Sequence, residues 1–128
     1  MVNYLAVIVV TVIGYVIMAL WYSSMFFGNL WMRLTKIKGA KMSPGIMIIG
    51  LIAGFITTLV LASIISLVSI TGFIDGALAG VCLWLGFLAP FLLNEVLYEK
   101  RKFALYLLNV VGYLLILFVS GGILAVWQ

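Results

Sequence analysis

Four apolar stretches, separated by two short clusters of positive charge, set the pattern of the chain. Residues 3–23 carry no formal charge and, at roughly 1.5 Å of rise per helical residue, supply about 31 Å, close to the hydrocarbon thickness of a bilayer. Residues 44–71 supply about 42 Å, so this stretch must tilt or reach past the hydrocarbon. The third, 76–95, is the shortest, with roughly 28 Å uncharged, and the fourth, 103–127, offers about 37 Å. The pattern predicts an all-α fold: a four-helix transmembrane bundle forming one polytopic membrane domain over residues 1–128. Residues 1–3 hold no basic side chain, and Trp21-Tyr22 stands where a cleavage site would need small residues, so the first stretch is expected to be a span and not a removable signal.

Between the first two spans the period changes. Phe26, Phe27, Leu30, Trp31, Leu34 and Ile37 recur at three- and four-residue spacing, while Asn29, Arg33 and Lys36 fall between them. That is the signature of an amphipathic helix over about 26–38, expected to lie in the membrane interface with aromatic residues down and cations up. Gly28 is expected to permit the turn out of the first span and Gly39 the turn into the second. Trp31, Arg33 and Lys36 are candidate contacts for lipid or a partner; a plain amphipathic linker is the competing reading. Two end signals agree with the partition. Ser43-Pro44 reads as a cap followed by proline at the first helical position, and Asp75 is placed to cap the third span.

Composition explains why these stretches must meet lipid. Of the 128 residues 67% are hydrophobic and 8% charged, against roughly 45–50% and about 25% in a soluble domain. Seven Lys and Arg with three Asp and Glu could not cover the surface of a water-soluble globule. His is absent and there is one Cys, which removes His-based catalysis, Cys/His metal clusters and an intrachain disulfide. No cofactor, metal site or catalytic residue is expected. All seven basic residues fall in the first and third connections, so those loops are expected in the cytoplasm and both termini outside, in a cell inner membrane. Attraction to anionic lipid accounts for the net charge of +4, and nucleic acid is not an expected partner.

Helices in lipid associate through close packing at small residues. Gly50, Gly54, Thr58, Ala62 and Ser66 form one such row, and Gly76 with Gly80 forms another. Either row could join spans within one chain or between copies, and a homo-oligomer is expected because four short helices enclose little space.

Polar side chains within the spans are the candidates for function. Glu95 lies about 30 Å along the helix from Asp75, near the cytoplasmic boundary, where Arg33, Arg101 or Lys102 could pair with it. Asn94 adjoins it. Tyr106, Asn109, Tyr113 and Ser120 share one face of the fourth span. Pro90 should kink the third span and free the Gly86 carbonyl as an acceptor. With Trp21, Tyr22 and Ser23 these groups are expected to converge on a cytoplasm-facing polar pocket. The candidate ligand-binding set is therefore Trp21, Tyr22, Ser23, Asn94, Glu95, Asn109 and Tyr113; structural hydrogen bonding is the competing reading. Glu95 and Glu99, the only neighbouring acids, make an intramembrane enzyme the weakest alternative. Cys82 and the six Met residues read as packing.

Trp21-Tyr22-Ser23-Ser24, Phe27-Gly28, Trp31-Met32, Asn94, Tyr98-Glu99, Arg101, and Asn109 with Gly112-Tyr113 together resemble the small bacterial proteins called domain of unknown function 1761, over nearly the whole chain. Ser24 stands where the resemblance leads one to expect proline, and Lys100 where it leads one to expect glycine. The resemblance implies four spans and no established activity. Two functions are then open: binding or conducting a small solute or ion through the pocket, or docking a partner or anionic lipid through the basic amphipathic segment.

Overall fold

The computed structural model describes residues 2–36 and 44–127. Helix α1 (Tyr4–Trp21) starts where the Asn3 side chain accepts from the Ala6 N–H at 3.2 Å. Helix α2 is Gly28–Thr35, α3 is Pro44–Val68, α4 is Phe73–Leu83, α5 is Ala89–Leu97 and α6 is Phe103–Val126. A π-helical turn, Trp84–Leu88, joins α4 to α5 so that they form one rod. Four rods, α1, α3, α4 with α5, and α6, are long and apolar enough to cross a membrane. The chain is a multi-pass, all-helical membrane protein.

Several ends differ from the sequence expectation for local reasons. The second connection begins early because Ser69 takes a left-handed φ of 61°. Its N–H donates to the Ser66 carbonyl, and that of Ile70 donates to Ile65, so α3 stops at Val68 in a paired C-terminal turn. A left-handed non-glycine residue costs roughly 1–2 kcal/mol, so Ser69→Gly should stabilise the protein by about 1 kcal/mol. A thermal unfolding series in detergent would show this as a raised midpoint, and Ser69→Val should lower it.

The cap of α4 is Gly72, and Asp75 sits in its first turn, where its charge meets the positive helix end without capping it. Helix α2 is shorter than the predicted 26–38 segment: Phe26 and Phe27 precede it, and Lys36 closes it at a left-handed φ of 61°. Ile37, Lys38, Gly39, Lys41 and Ser43, with the turn and cap expected of them, lie outside the described residues.

Packing is uneven along the bundle. At the end away from the basic loops, Ala6, Val7 and Val10 of α1, Leu61, Ala62 and Ile65 of α3, and Leu117, Leu124 and Ala125 of α6 form a closed core. Closest of all is the crossing of α4 on α6. A Cβ on Gly76 would overlap the Gly121 carbonyl oxygen, and one on Gly80 would overlap that of Leu117. That row of small residues therefore joins helices within the chain. The α3 row faces α1 more loosely, with Gly50 opposite Tyr15 and Gly54 opposite Thr11, each 3.7 Å from an added Cβ. Towards the basic end α3 packs less closely: every residue from 44 to 50 is exposed, although Gly50 still faces Tyr15.

The π turn carries the largest departure from sequence counting. Ala89 donates its N–H to Trp84, five residues back, so one residue is added to the turn ahead of Pro90. Regular counting from Gly80 would bring positions 87, 91 and 94 inward, yet Phe87, Phe91 and Asn94 are exposed. Leu88, Ala89, Leu92, Leu93, Glu95 and Val96 are half-buried instead. The inward face has moved by one residue, which turns Asn94 towards lipid.

Candidate functional site

The site at the basic end is built on side chains from α1 that lock onto the backbone of α6. Trp21, the last residue of α1, donates its indole N–H to the Leu108 carbonyl at 3.0 Å. Gly112 makes room for it, since a Cβ there would lie 2.9 Å from the indole nitrogen. Phe27 packs on the same indole, with ring centroids 4.5 Å apart. The chain can return this tightly because Gly28 lies against the Tyr22 and Ser23 carbonyls, where a Cβ would come within 2.5 Å and 2.8 Å of their oxygens. Gly28 is needed for close approach, and its own N–H donates to Ser23 at 2.9 Å.

That turn directs Tyr22 to α6, where its phenol donates to the Asn109 side-chain oxygen at 2.5 Å. Trp31 of α2 meets the Tyr22 ring edge-on at a centroid distance of 6.3 Å. With α3 packed less closely here, these groups floor a cleft of about 620 Å³ between α1, α2, α3 and α6. Tyr15 and Met18 line it on one side, Ile46 and Gly50 on the other, and Tyr113 at its inner end. A second cavity of about 320 Å³ shares Tyr15, Met18, Gly50 and Tyr113 and runs deeper, past Gly14, Gly54 and Ser120.

Of the sequence-predicted set, Tyr22, Asn109 and Tyr113 line the cleft, and Trp31, expected to dip into the interface, joins them. Trp21 acts beneath it as a brace. Ser23 donates to the Leu20 carbonyl at 2.7 Å and does not line either cavity, whereas its neighbour Ser24 does. Asn94, expected to join Asn109, is exposed and lines neither cavity, because the π turn rotates it away. Glu95 is half-buried on the inward side, but no ion pair joins it to Arg33, Arg101 or Lys102 among the described residues. Glu99 lies beyond the end of α5, so the two acids do not share a helix face. Arg33 and Lys36 are exposed and line neither cavity.

Other groups escaped the sequence reading. Trp84 donates to the Val110 carbonyl at 2.7 Å, matching Trp21 from the opposite side of α6. Tyr106 donates to the Ala89 carbonyl at 2.8 Å; the acceptor beside Pro90 that receives a side chain is thus Ala89 and not the expected Gly86. Tyr15 and Met18 gave no signal and Gly50 read only as part of a packing row, since in an apolar stretch nothing distinguishes a cleft wall from a lipid-facing surface. Lys100, where the family resemblance led us to expect glycine, takes a φ of 56°, the backbone region glycine prefers.

The chemistry of the cleft is that of neutral donors. Among the described residues, neither amide hydrogen of Asn109 meets a protein acceptor, and the phenols of Tyr15 and Tyr113 and the indole N–H of Trp31 have no hydrogen-bond partner. No charged side chain lines either cavity among the described residues. Nor do three Cys, Asp or Glu side chains come together there as a metal site.

A family model described as "Protein of unknown function (DUF1761)" matches residues 5–125. No curated protein and no solved structure matches the chain.

Proposed function

Since the chain belongs to the DUF1761 family, whose description assigns no activity, function has to be argued from the site, and we propose that the protein binds a small uncharged solute in the cleft at its basic end. The observation that carries this reading is the set of unpartnered donors facing one cavity: the Asn109 amide, the Tyr113 and Tyr15 phenols and the Trp31 indole. None of these donors is buried, so each stays open to the cleft and gives a bound acceptor a place to rest. Binding suits the geometry better than conduction, because the Ala6, Val7, Val10, Leu61 and Ile65 core closes the far end of the bundle. An ion is a poorer fit than a neutral solute, since no charge in the lining offsets its desolvation.

In this reading the basic loops lie in the cytoplasm and both termini outside the inner membrane, following the one-sided distribution of Lys and Arg. The cleft then opens to the cytoplasmic leaflet. Exposed Arg33 and Lys36 anchor α2 to anionic lipid, each worth about 1 kcal/mol near a charged surface.

Access to the site tests the proposal. In a Cys82→Ser background, Ser24→Cys, at an exposed position of the cleft wall, should react with a water-soluble thiol reagent added from the side of the basic loops, and monobutyrin should slow the reaction. Labelling from the opposite side only, or no labelling in a protein that still folds, excludes the cleft as a cytoplasmic binding site. Cysteines placed near Phe73 and near Lys38 report orientation in the same assay, and only the first should be modified from outside.

A further inference from the structure

The two cavities meet at shared walls, Tyr15, Met18, Gly50 and Tyr113, and the rest of their linings differ. The outer cleft holds the free donors of Asn109 and Trp31, whereas the inner groove, beyond the shared Tyr15 and Tyr113, runs between α1, α3 and α6 over Gly14, Gly54, Leu61, Ile116 and Leu117. Its polar side chains are already occupied in part. Thr11 donates to the Val7 carbonyl at 2.7 Å, Thr57 to Ala53 at 3.1 Å and Thr58 to Gly54 at 2.8 Å, all within their own helices. With those hydroxyls engaged, the polar side chains left in the lining are Ser120 and the shared Tyr15 and Tyr113. The path from Gly50 to Leu61 covers about 16 Å along the helix. Its width comes from glycine: an added Cβ at Gly54 or Gly50 meets nothing closer than 3.7 Å, so these positions leave space where the α4–α6 glycines leave none.

Resting on the binding reading above, we propose that the ligand is a neutral single-chain amphiphile, with a carbonyl- or hydroxyl-bearing head at Asn109, Tyr113 and Trp31 and its hydrocarbon chain in the groove between α1 and α3. Charge selects the head. The available groups are donors and the Asn109 oxygen is already taken by Tyr22, which suits a carbonyl or hydroxyl head. A charged head of either sign would sit among neutral groups in a low dielectric, where no charged side chain of the described lining offsets the loss of hydration. The exposed face of α3 from 44 to 50 gives such a molecule a lateral path from the membrane, with Ile46 and Gly50 at the entrance.

The test uses the whole protein in phosphatidylcholine nanodiscs and tritiated monolaurin, which carries an ester carbonyl, two hydroxyls and a twelve-carbon chain (roughly the length of the groove). Binding should saturate, and laurate and dodecyltrimethylammonium should compete at least about tenfold less well than unlabelled monolaurin. Asn109→Leu should weaken monolaurin and monobutyrin alike. Gly54→Leu, which fills the groove, should weaken monolaurin about tenfold and monobutyrin less than twofold; Gly50→Leu, at an exposed position, is the second groove variant should Gly54→Leu fold poorly. If monobutyrin binds as well as monolaurin and neither groove variant matters, the amphiphile proposal is wrong while the solute site stands. If neither compound binds saturably, both readings fall. Monolaurin uptake that ignores all three substitutions is ordinary lipid solvation and also overturns the proposal.

Discussion

Gly80→Leu is expected to leave no folded bundle, and even Gly80→Ala should cost more than about 3 kcal/mol, the upper part of the usual range for overpacking. A Cβ at this position would overlap the Leu117 carbonyl oxygen, and backbone cannot swing aside as a flexible side chain can. Gly121 and Gly76 are locked against each other in the same way, so α4 cannot slide along α6 to relieve the clash. Total stability of a domain is about 5–15 kcal/mol, so losing this crossing is sufficient to unfold it. Gly54→Leu is the control. Its nearest neighbour is the Thr11 methyl group at 3.7 Å, with a cavity alongside, and its cost should stay below about 1.5 kcal/mol. Thermal unfolding of purified variants, followed by size exclusion in detergent, separates the two. A Gly80→Leu protein that melts with the parent, or that merely loses an oligomer while its monomer stays folded, would show that the crossing does not hold the chain together.

That contrast also shows what the sequence could and could not disclose. Both rows of small residues were visible as spacing, because close approach demands small side chains at one turn's separation. Which row was tight was not visible, since tightness depends on what lies opposite: Leu117 and Gly121 for one row, a cavity for the other. The four spans were legible because the cost of burying charge in lipid writes their boundaries directly into the chain. That Tyr22, Asn109 and Tyr113 come together along one cleft was legible for the same reason: a polar residue in a span is expensive, and so stands out. Tyr15, Met18 and Gly50 were not legible as cleft walls, because their value arises only from the looser packing of α3, which no local pattern records.

Asn94 marks the limit more sharply, and it leads to the second large effect. Its neighbours were counted along a regular helix, and the count failed at one turn, where Ala89 donates to Trp84. Pro90 was the available clue: a residue without an N–H unsettles the turn before it, but sequence alone does not say whether the helix bends or takes in an extra residue. If the turn holds one residue more than a regular helix, removing one residue there should restore regular spacing without rotating either flank. Deletion of Gly86 should therefore be tolerated, at a cost within about 1–2 kcal/mol, because nothing lies within 4 Å of its would-be Cβ and Glu95 keeps its inward position. Deletion of Ala79, inside α4, should be ruinous. It would turn Gly76 by about 100° relative to Gly80 and remove it from the Gly121 carbonyl, opening the tightest crossing in the molecule. Expression and thermal unfolding of the two deletion variants should differ accordingly, with folded protein recovered only for the Gly86 deletion. Equal loss in both would mean that the wide turn is itself required, through the Trp84 bond to Val110 or the Tyr106 bond to Ala89 on either side of it. In that case Trp84→Phe and Tyr106→Phe should each reproduce a measurable part of the loss, about 0.5–1.5 kcal/mol per hydrogen bond removed.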